Sequence, residues 1–236
     1  MTPAEHLPGL VVNLATPDLK LSDYKLIAFD MDSTLINIEC VDEIADAAGR
    51  KAEVSAITEA AMRGEITDYK ESLRRRVALL EGVSVDSMED VYHERLRLNP
   101  GAADLVQACK AAGLKVLLVS GGFTFFTDRV RDELGIDYTR SNVLEVKNGL
   151  LTGRMLDQPW GDICDGVEKC KMLLQTCAML DIEPRQAIAM GDGANDLPMM
   201  GVAGLSVAYH AKPIVRDQAM VAINEGGLDR LLELFK

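Results

Sequence analysis

The sequence predicts an α/β fold, a doubly wound parallel sheet with a helical cap inserted after its first strand. Three observations predict it. Short apolar runs alternate with helical text from residue 100 onward. A strand-free helical stretch interrupts that alternation after the first run, and three of the runs end in polar, glycine-rich or acidic text. Strands separated by helices form parallel sheets, because a parallel connection has to cross over the sheet.

The elements follow in order. Residues 1–24, with Pro3, Pro8 and Pro17, predict an irregular N-terminal leader that carries no chemistry. KLIAFD (25–30) is a short apolar run ending in acid, the pattern of a buried parallel strand. From Val41 to about Asn99, VDEIADAAG, EVSAITEAAMRG and DYKESLRRRVALLEG place apolar residues at three- and four-residue spacing, with Gly49, Gly64 and Gly82 as punctuation. The expected division is a leader over 1–24, an α/β core over 25–38 and 100–236, and a helical cap over 39–99. After Pro100, AADLVQACKAAG predicts a helix, KVLLVS (115–120) a strand and TFFTDRVRDELG a helix. Lys147-Asn148-Gly149 between β-prone runs predicts a hairpin. A helix over 166–180, the strand QAIAMG (186–191), a helix over 196–201, the strand GLSVAY, the helix AKPIVRDQA, the strand MVAIN and a final helix LDRLLELF complete the chain.

Composition narrows the function. The 236 residues carry a formal net charge of −12, which argues against nucleic acid and against an anionic membrane surface. No run approaches the roughly 18 apolar residues of a membrane span, and the N-terminus lacks a signal-peptide pattern. A cytoplasmic protein is expected, as a monomer or homodimer. The five scattered cysteines form no CxxC pair and predict buried free thiols rather than disulfides or zinc.

The chemistry is expected at three strand ends, FDMDST (29–34), SGGF (120–123) and GDGAND (191–196). Ligands of open α/β sheets bind beyond the carboxyl ends of the strands, so Asp30, Asp32, Ser120 and Asp192 should meet there. Asp30, Asp32, Asp192 and Asp196 would crowd negative charge into one pocket, and crowded carboxylates call for a cation. Oxygen-only ligands select a hard ion. Mg²⁺ is therefore expected on Asp30, the backbone carbonyl of Asp32 and Asp192, with Asp196 in support. Asp30 would attack phosphorus in line and Asp32 would act as acid and base. Ser120 with Gly121-Gly122 would supply donors to a phosphate, Lys169 would offset its charge, and the GDGAND turn would aim Asp192 and Asn195 inward.

Together these motifs resemble the haloacid dehalogenase superfamily of phosphotransferases. NIECVDEIADAAG, AMRGE, SLRRRV and GDGANDLPM resemble more closely its branch that acts on phosphoserine. The resemblance covers roughly residues 25–236. It implies a magnesium-dependent phosphomonoester hydrolase that converts O-phospho-L-serine to L-serine through an aspartyl-phosphate, the last step of serine biosynthesis. It also implies that Glu39 meets the substrate ammonium and Arg76 its carboxylate, with Met62 and Tyr69 lining the same pocket. The ACT-type regulatory domain of some relatives is not expected in so short a leader.

Other readings stay open. A related phosphatase of different specificity, or a transferase passing the phosphoryl group from phosphoserine to homoserine or another small alcohol, would use the same motifs. A receiver-like signalling domain also combines Asp, Ser/Thr, Lys and magnesium, but it is about half this length and lacks the helical insertion. Taken singly, Arg76 within Arg74-Arg75-Arg76 reads as a solvated face, Lys169 as a surface lysine and Glu39 as a surface acid; only the joint pattern makes them candidates.

Overall fold

Strand β3 (Leu26–Phe29) is the hub of the molecule. Its side chains alternate between two buried faces, as a strand covered on both sides requires. Ile27 and Phe29 join a core with Leu105, Val106, Phe126 and Val130, while Leu26 and Ala28 join a second with Leu173, Cys177, Met199 and Val215. The second face is rich in alanine (Ala28, Ala187, Ala189, Ala208, Ala222), which lets its helices approach the sheet closely. The computed structural model describes residues 4–13, 19–62 and 66–236, without the side chains of 4, 59, 61 and 62.

Among the described residues the sheet has nine strands in the order β1-β2-β9-β8-β7-β3-β4-β5-β6. They are β1 (Ala4–Leu7), β2 (Leu10–Val12), β3, β4 (Lys115–Phe123), β5 (Tyr138–Lys147), β6 (Leu150–Leu156), β7 (Ala187–Gly191), β8 (Leu205–Tyr209) and β9 (Val221–Ile223). Strands β3, β4, β5, β7, β8 and β9 run parallel. The chain steps from β3 outward to β4 and β5, then returns to the other side of β3 with β7, so the topological switch point lies between β3 and β7. Helices α5 (Ala102–Ala111) and α6 (Thr124–Leu134) cover the first face; α7 (Gly166–Met179), α8 (Leu197–Val202) and α9 (Pro213–Gln218) cover the second.

The expected doubly wound sheet is present. The insertion contains α1 (Cys40–Ala47), α2 (Lys51–Met62), α3 (Tyr69–Ala78) and α4 (Val85–Asp90). Val41, Ile44, Leu73, Val77, Leu80 and Met88 join the same cluster as Phe29 and Phe126, so the insertion shares the sheet's core. It is also stitched to the hairpin: Gly82 donates to Leu151 O at 2.9 Å and Leu151 to Val83 O at 2.8 Å. The hairpin turns at Asn148 (φ 52°) and Gly149 (φ 76°), the left-handed pair that the Asn-Gly text predicts.

Two sequence expectations need correction. The leader is not irregular throughout: β1 and β2 pair antiparallel, and β2 continues the sheet antiparallel against β9, with Leu10 opposite Ile223. Leu10 is fully buried, so this extension completes the core beside β9. The final helix is a run of 3₁₀ turns over Leu228–Leu234, which buries Leu228, Leu231 and Leu234 at the three-residue period of that helix. Among the described residues no helix is long and apolar enough to cross a membrane. All five cysteines are free, and Cys170 alone is less than fully buried.

Candidate active site

The site begins with strand register. Phe29 lies opposite Met190, and the Asp30 N–H donates to Met190 O at 3.0 Å. Asp30 and the Gly191-Asp192 turn therefore leave neighbouring strands side by side, at the switch point where α/β sheets open a crevice. Asp30, Asp192 and Asp196 offer carboxylate oxygens that all lie within 4.8 Å of one another. Lys169, fully buried, reaches up from α7 and binds Asp30 Oδ1 at 2.8 Å and Asp196 Oδ1 at 2.7 Å. Asp196 Oδ2 accepts from Gly193 N–H at 3.0 Å, so both of its oxygens take part in fixing Lys169 and the turn. Asp30 Oδ1 also accepts from Met31 N–H at 2.7 Å, and Asp192 Oδ1 accepts from the Thr34 hydroxyl at 3.3 Å.

Burial and crowding set the protonation of this cluster. Burial, then the charge of Asp196, pushes Asp30 well above the usual carboxylate range against the pull of Lys169. Burial, then Asp196 and Glu39, pushes Asp192 up to about 7. Burial alone would lower the Lys169 ammonium, but Asp196 and Asp30 outweigh it and hold the group charged. Excess negative charge thus remains after the lysine is counted. The available donors are all oxygen, which fits a hard divalent cation. Asp30 and Asp192 keep the most capacity for one, while Asp196 already meets Lys169 and Gly193 N–H with its two oxygens.

Asp32 sits in the tight turn Met31–Leu35, where Ser33 takes a left-handed φ of 57°. Such backbone strain clusters at functional sites. The turn delivers the Asp32 carboxylate to the first residue of α1: Cys40 N–H donates to Oδ2 at 3.2 Å and the Cys40 thiol to Oδ1 at 3.1 Å. Burial and then the Glu39 charge push Asp32 up to about 7. Glu39, the exposed N-cap of α1, accepts from the Ser33 hydroxyl at 2.7 Å.

At the end of β4 the sheet is interrupted. Val119 lies opposite Arg140 and Phe123 opposite Asn142, so Ser120, Gly121 and Gly122 together face Ser141 alone. The extra residues bulge toward the crevice, a common device beside active sites. Ser120 Oγ accepts from Gly122 N–H at 2.9 Å. Gly121 lies tight against the insertion: a Cβ there would collide with the Tyr69 hydroxyl, which would have to move. Tyr69, the first residue of α3, thus presses the insertion directly onto the glycine turn. Nearby, Lys70 binds Asp162 at 2.7 Å and approaches Asp165 at 3.8 Å, tying α3 to the loop before α7.

One cavity of about 610 Å³ gathers these groups, lined among others by Asp30, Asp32, Ser120, Gly121, Asp192 and Asn195 from the sheet and by Glu39, Tyr69 and Arg76 from the insertion. Lys169 lies beneath its floor. Every sequence-predicted site residue is accounted for except Met62, whose side chain lies outside the described residues.

Sequence reasoning missed five contributors. Cys40, taken as a bland buried thiol, holds Asp32. Thr34 holds Asp192. Lys212 lines the cavity and donates through its N–H to Asp192 O at 3.2 Å. Asp42 also lines it, and its buried Oδ1, like the buried Nε of Arg76, has no hydrogen-bond partner among the described residues. Asn142 straps the glycine turn from behind. Position beside a motif could have flagged Cys40 and Thr34, and helical spacing from Glu39 could have flagged Asp42; nothing local marks Asn142 or Lys212.

The profile of haloacid dehalogenase-like hydrolases matches residues 27–201. A phosphoserine phosphatase of Polaromonas sp. strain JS666 is 86% identical over 236 residues, covering 100% of both chains. The solved phospho-aspartyl intermediate analogue of a phosphoserine phosphatase is 38% identical, covers 90% of this chain and 99% of that one, and superposes with a TM-score of 0.82. A substrate-bound phosphoserine phosphatase complex is 36% identical, with the same coverage and a TM-score of 0.81. The chain therefore belongs to the haloacid dehalogenase-like hydrolases, in the family of the phosphoserine phosphatases it matches along its length.

Proposed function

We propose that the chain hydrolyses O-phospho-L-serine to L-serine and phosphate, with magnesium, by way of a phosphorylated Asp30, and so serves the last step of serine biosynthesis. The observation that carries this reading is one cavity lined both by Asp30 and Asp32 after the first core strand and by Glu39 and Arg76 from the insertion. A substrate spanning it needs a phosphoryl group at one end and an amino-acid head at the other. A guanidinium suits the carboxylate and a lone carboxylate the ammonium. The 86% identical relative bears the matching name.

Asp30 Oδ1 is pinned by Met31 N–H and Lys169, leaving Oδ2 to attack phosphorus. As the phosphorus–Oγ bond breaks, Asp32 gives its proton to the serine oxygen. A carboxyl titrating at about 7 still carries that proton near neutrality. Serine leaves, Asp32 takes a proton from water, and the hydroxide attacks phosphorus to free phosphate and Asp30. The Ser120–Gly122 turn and Lys169 meet the charge on the phosphoryl oxygens. Magnesium would be held by Asp30, the main-chain carbonyl of Asp32 and Asp192, and would supply neutralisation and orientation of the phosphate. The helices over 39–99 act as a cap that excludes water from the transfer.

Phosphate release from a panel of phosphorylated metabolites, with and without EDTA, tests the reading; failure on phosphoserine with good turnover of sugar phosphates would sink it. Within the same panel, Arg76→Ala removes a charged hydrogen-bonding partner. It should cost about 1.5–3 kcal/mol, or roughly 10–150-fold in kcat/KM on phosphoserine. The deficit should shrink for phosphoethanolamine, which lacks the carboxylate. An equal loss on both esters would make Arg76 structural.

Thermal melting tests the cation. A folded carboxyl raised to about 7, as at Asp192, binds a proton that the unfolded chain has already released. Without metal, its contribution to stability is present at low pH and lost as pH rises through about 7. Magnesium replaces that proton. At pH 7.5 and a hundredfold excess over its Kd it should add about 2.7 kcal/mol, about 5–11 °C for a chain of this size. The gain should fall away below pH 6 as protons compete. An equal shift at both pH values would contradict the assignment.

A further inference from the structure

We propose that Asn142 is a positioning residue for phosphoryl transfer, fixing the glycine turn relative to the helix that carries Lys169; the inference rests on the phosphatase reading above. The bulge at Ser120–Gly122 breaks the β4–β5 ladder and leaves the Gly121 carbonyl without a strand partner. The Asn142 side chain replaces that partner, its Nδ2 donating to Gly121 O at 2.8 Å. Its Oδ1 accepts from Cys164 N–H at 2.8 Å. The two partners fix the orientation of the amide, since a carbonyl must meet the NH₂ and an N–H must meet the oxygen.

Both attachments matter to the site. Gly121 is the residue on which the Tyr69 hydroxyl rests, and its neighbour Gly122 donates to Ser120 Oγ. Cys164 precedes Asp165, whose side chain caps α7 by accepting from Glu168 N–H at 2.9 Å; Lys169 follows in the same first turns. One amide therefore spans the anion-binding turn and the mount of the buried lysine. At 1% exposure Asn142 meets these groups away from bulk solvent, so removing it takes from Gly121 O and Cys164 N–H the partner that each has in this structure. A misplacement of about 1 Å at a transfer site can cost about 100-fold.

Two variants test this. Asn142→Asp keeps an acceptor for Cys164 but cannot donate to Gly121, and Asn142→Ala, which adds no charge, loses both bonds. Inhibition by inorganic phosphate and by L-serine is measured with kcat and Tm for each, in magnesium. Both variants should bind phosphate about tenfold or more weakly and lose about 10–100-fold in kcat. Inhibition by L-serine should stay within about twofold, because the serine head is held by the cap. Phosphate inhibition unchanged from wild type in folded variants would overturn the role of Asn142. So would parallel loss of phosphate and serine affinity, which marks general disruption, or an effect confined to the aspartate variant, which marks its charge. A wild-type protein that releases no phosphate from phosphoserine would instead overturn the phosphatase reading itself.

Discussion

Asp30→Asn should lower turnover of phosphoserine by at least about 10⁴-fold, since removing a nucleophile disables the covalent route altogether. Its fold should survive. The amide keeps the size of the carboxylate and can still accept from Met31 N–H, and it removes one of three crowded negative charges. The Tm without metal should therefore lie within a few degrees of wild type, while the gain on adding magnesium shrinks. Rates above about a tenth of wild type, in a preparation free of deamidated protein, would mean that Asp30 does not attack. A large fall in Tm would mean that its charge holds Lys169 in place and that lost activity reports structure.

Lys169→Met should be damaging in both respects. The ammonium is fully buried and is the charged partner of both Asp30 and Asp196. Breaking a buried ion pair by removing one partner costs about 3–5 kcal/mol, which for a chain of this size is roughly 6–20 °C in Tm. The orphaned carboxylates should then take up protons, and a protonated Asp30 is no nucleophile. Together with the lost charge on the phosphoryl oxygens, kcat should fall at least about 10²–10³-fold. Magnesium should recover part of the stability and little of the rate. Kinetics and calorimetry on one preparation check both parts; a stable, active Lys169→Met protein would make the lysine a bystander.

Much of this arrangement was legible in sequence because it is written locally. A buried parallel strand must be apolar up to its end, so the change to Asp at position 30, to Ser at 120 and to Gly-Asp at 191–192 marks where each strand meets the crevice. The Asn148-Gly149 turn was legible because few residues accept left-handed backbone. The rest depends on partners far along the chain. Strands β1 and β2 are four and three residues long, and β2 is held by β9, more than 200 positions away; no local periodicity encodes that pairing. The closing segment has helical composition, and only its packing against α5 and β9 selects 3₁₀ turns. Cys40 looked like core filling because its thiol is buried; that its proton points at Asp32 follows from a turn whose shape the sequence does not spell out. Asn142 is similar. Its importance arises from a bulge in the strand beside it.

The measurement that bears most directly on the account is chemical trapping of the intermediate. Protein turning over phosphoserine in magnesium is quenched in acid, reduced with borohydride and digested, and the peptide containing residue 30 is sequenced by mass spectrometry. An acyl phosphate on Asp30 is reduced to homoserine at that position, and this is the predicted result, absent when substrate or magnesium is withheld. An unaltered Asp30 under conditions where turnover continues, with the label on another residue, would contradict the account.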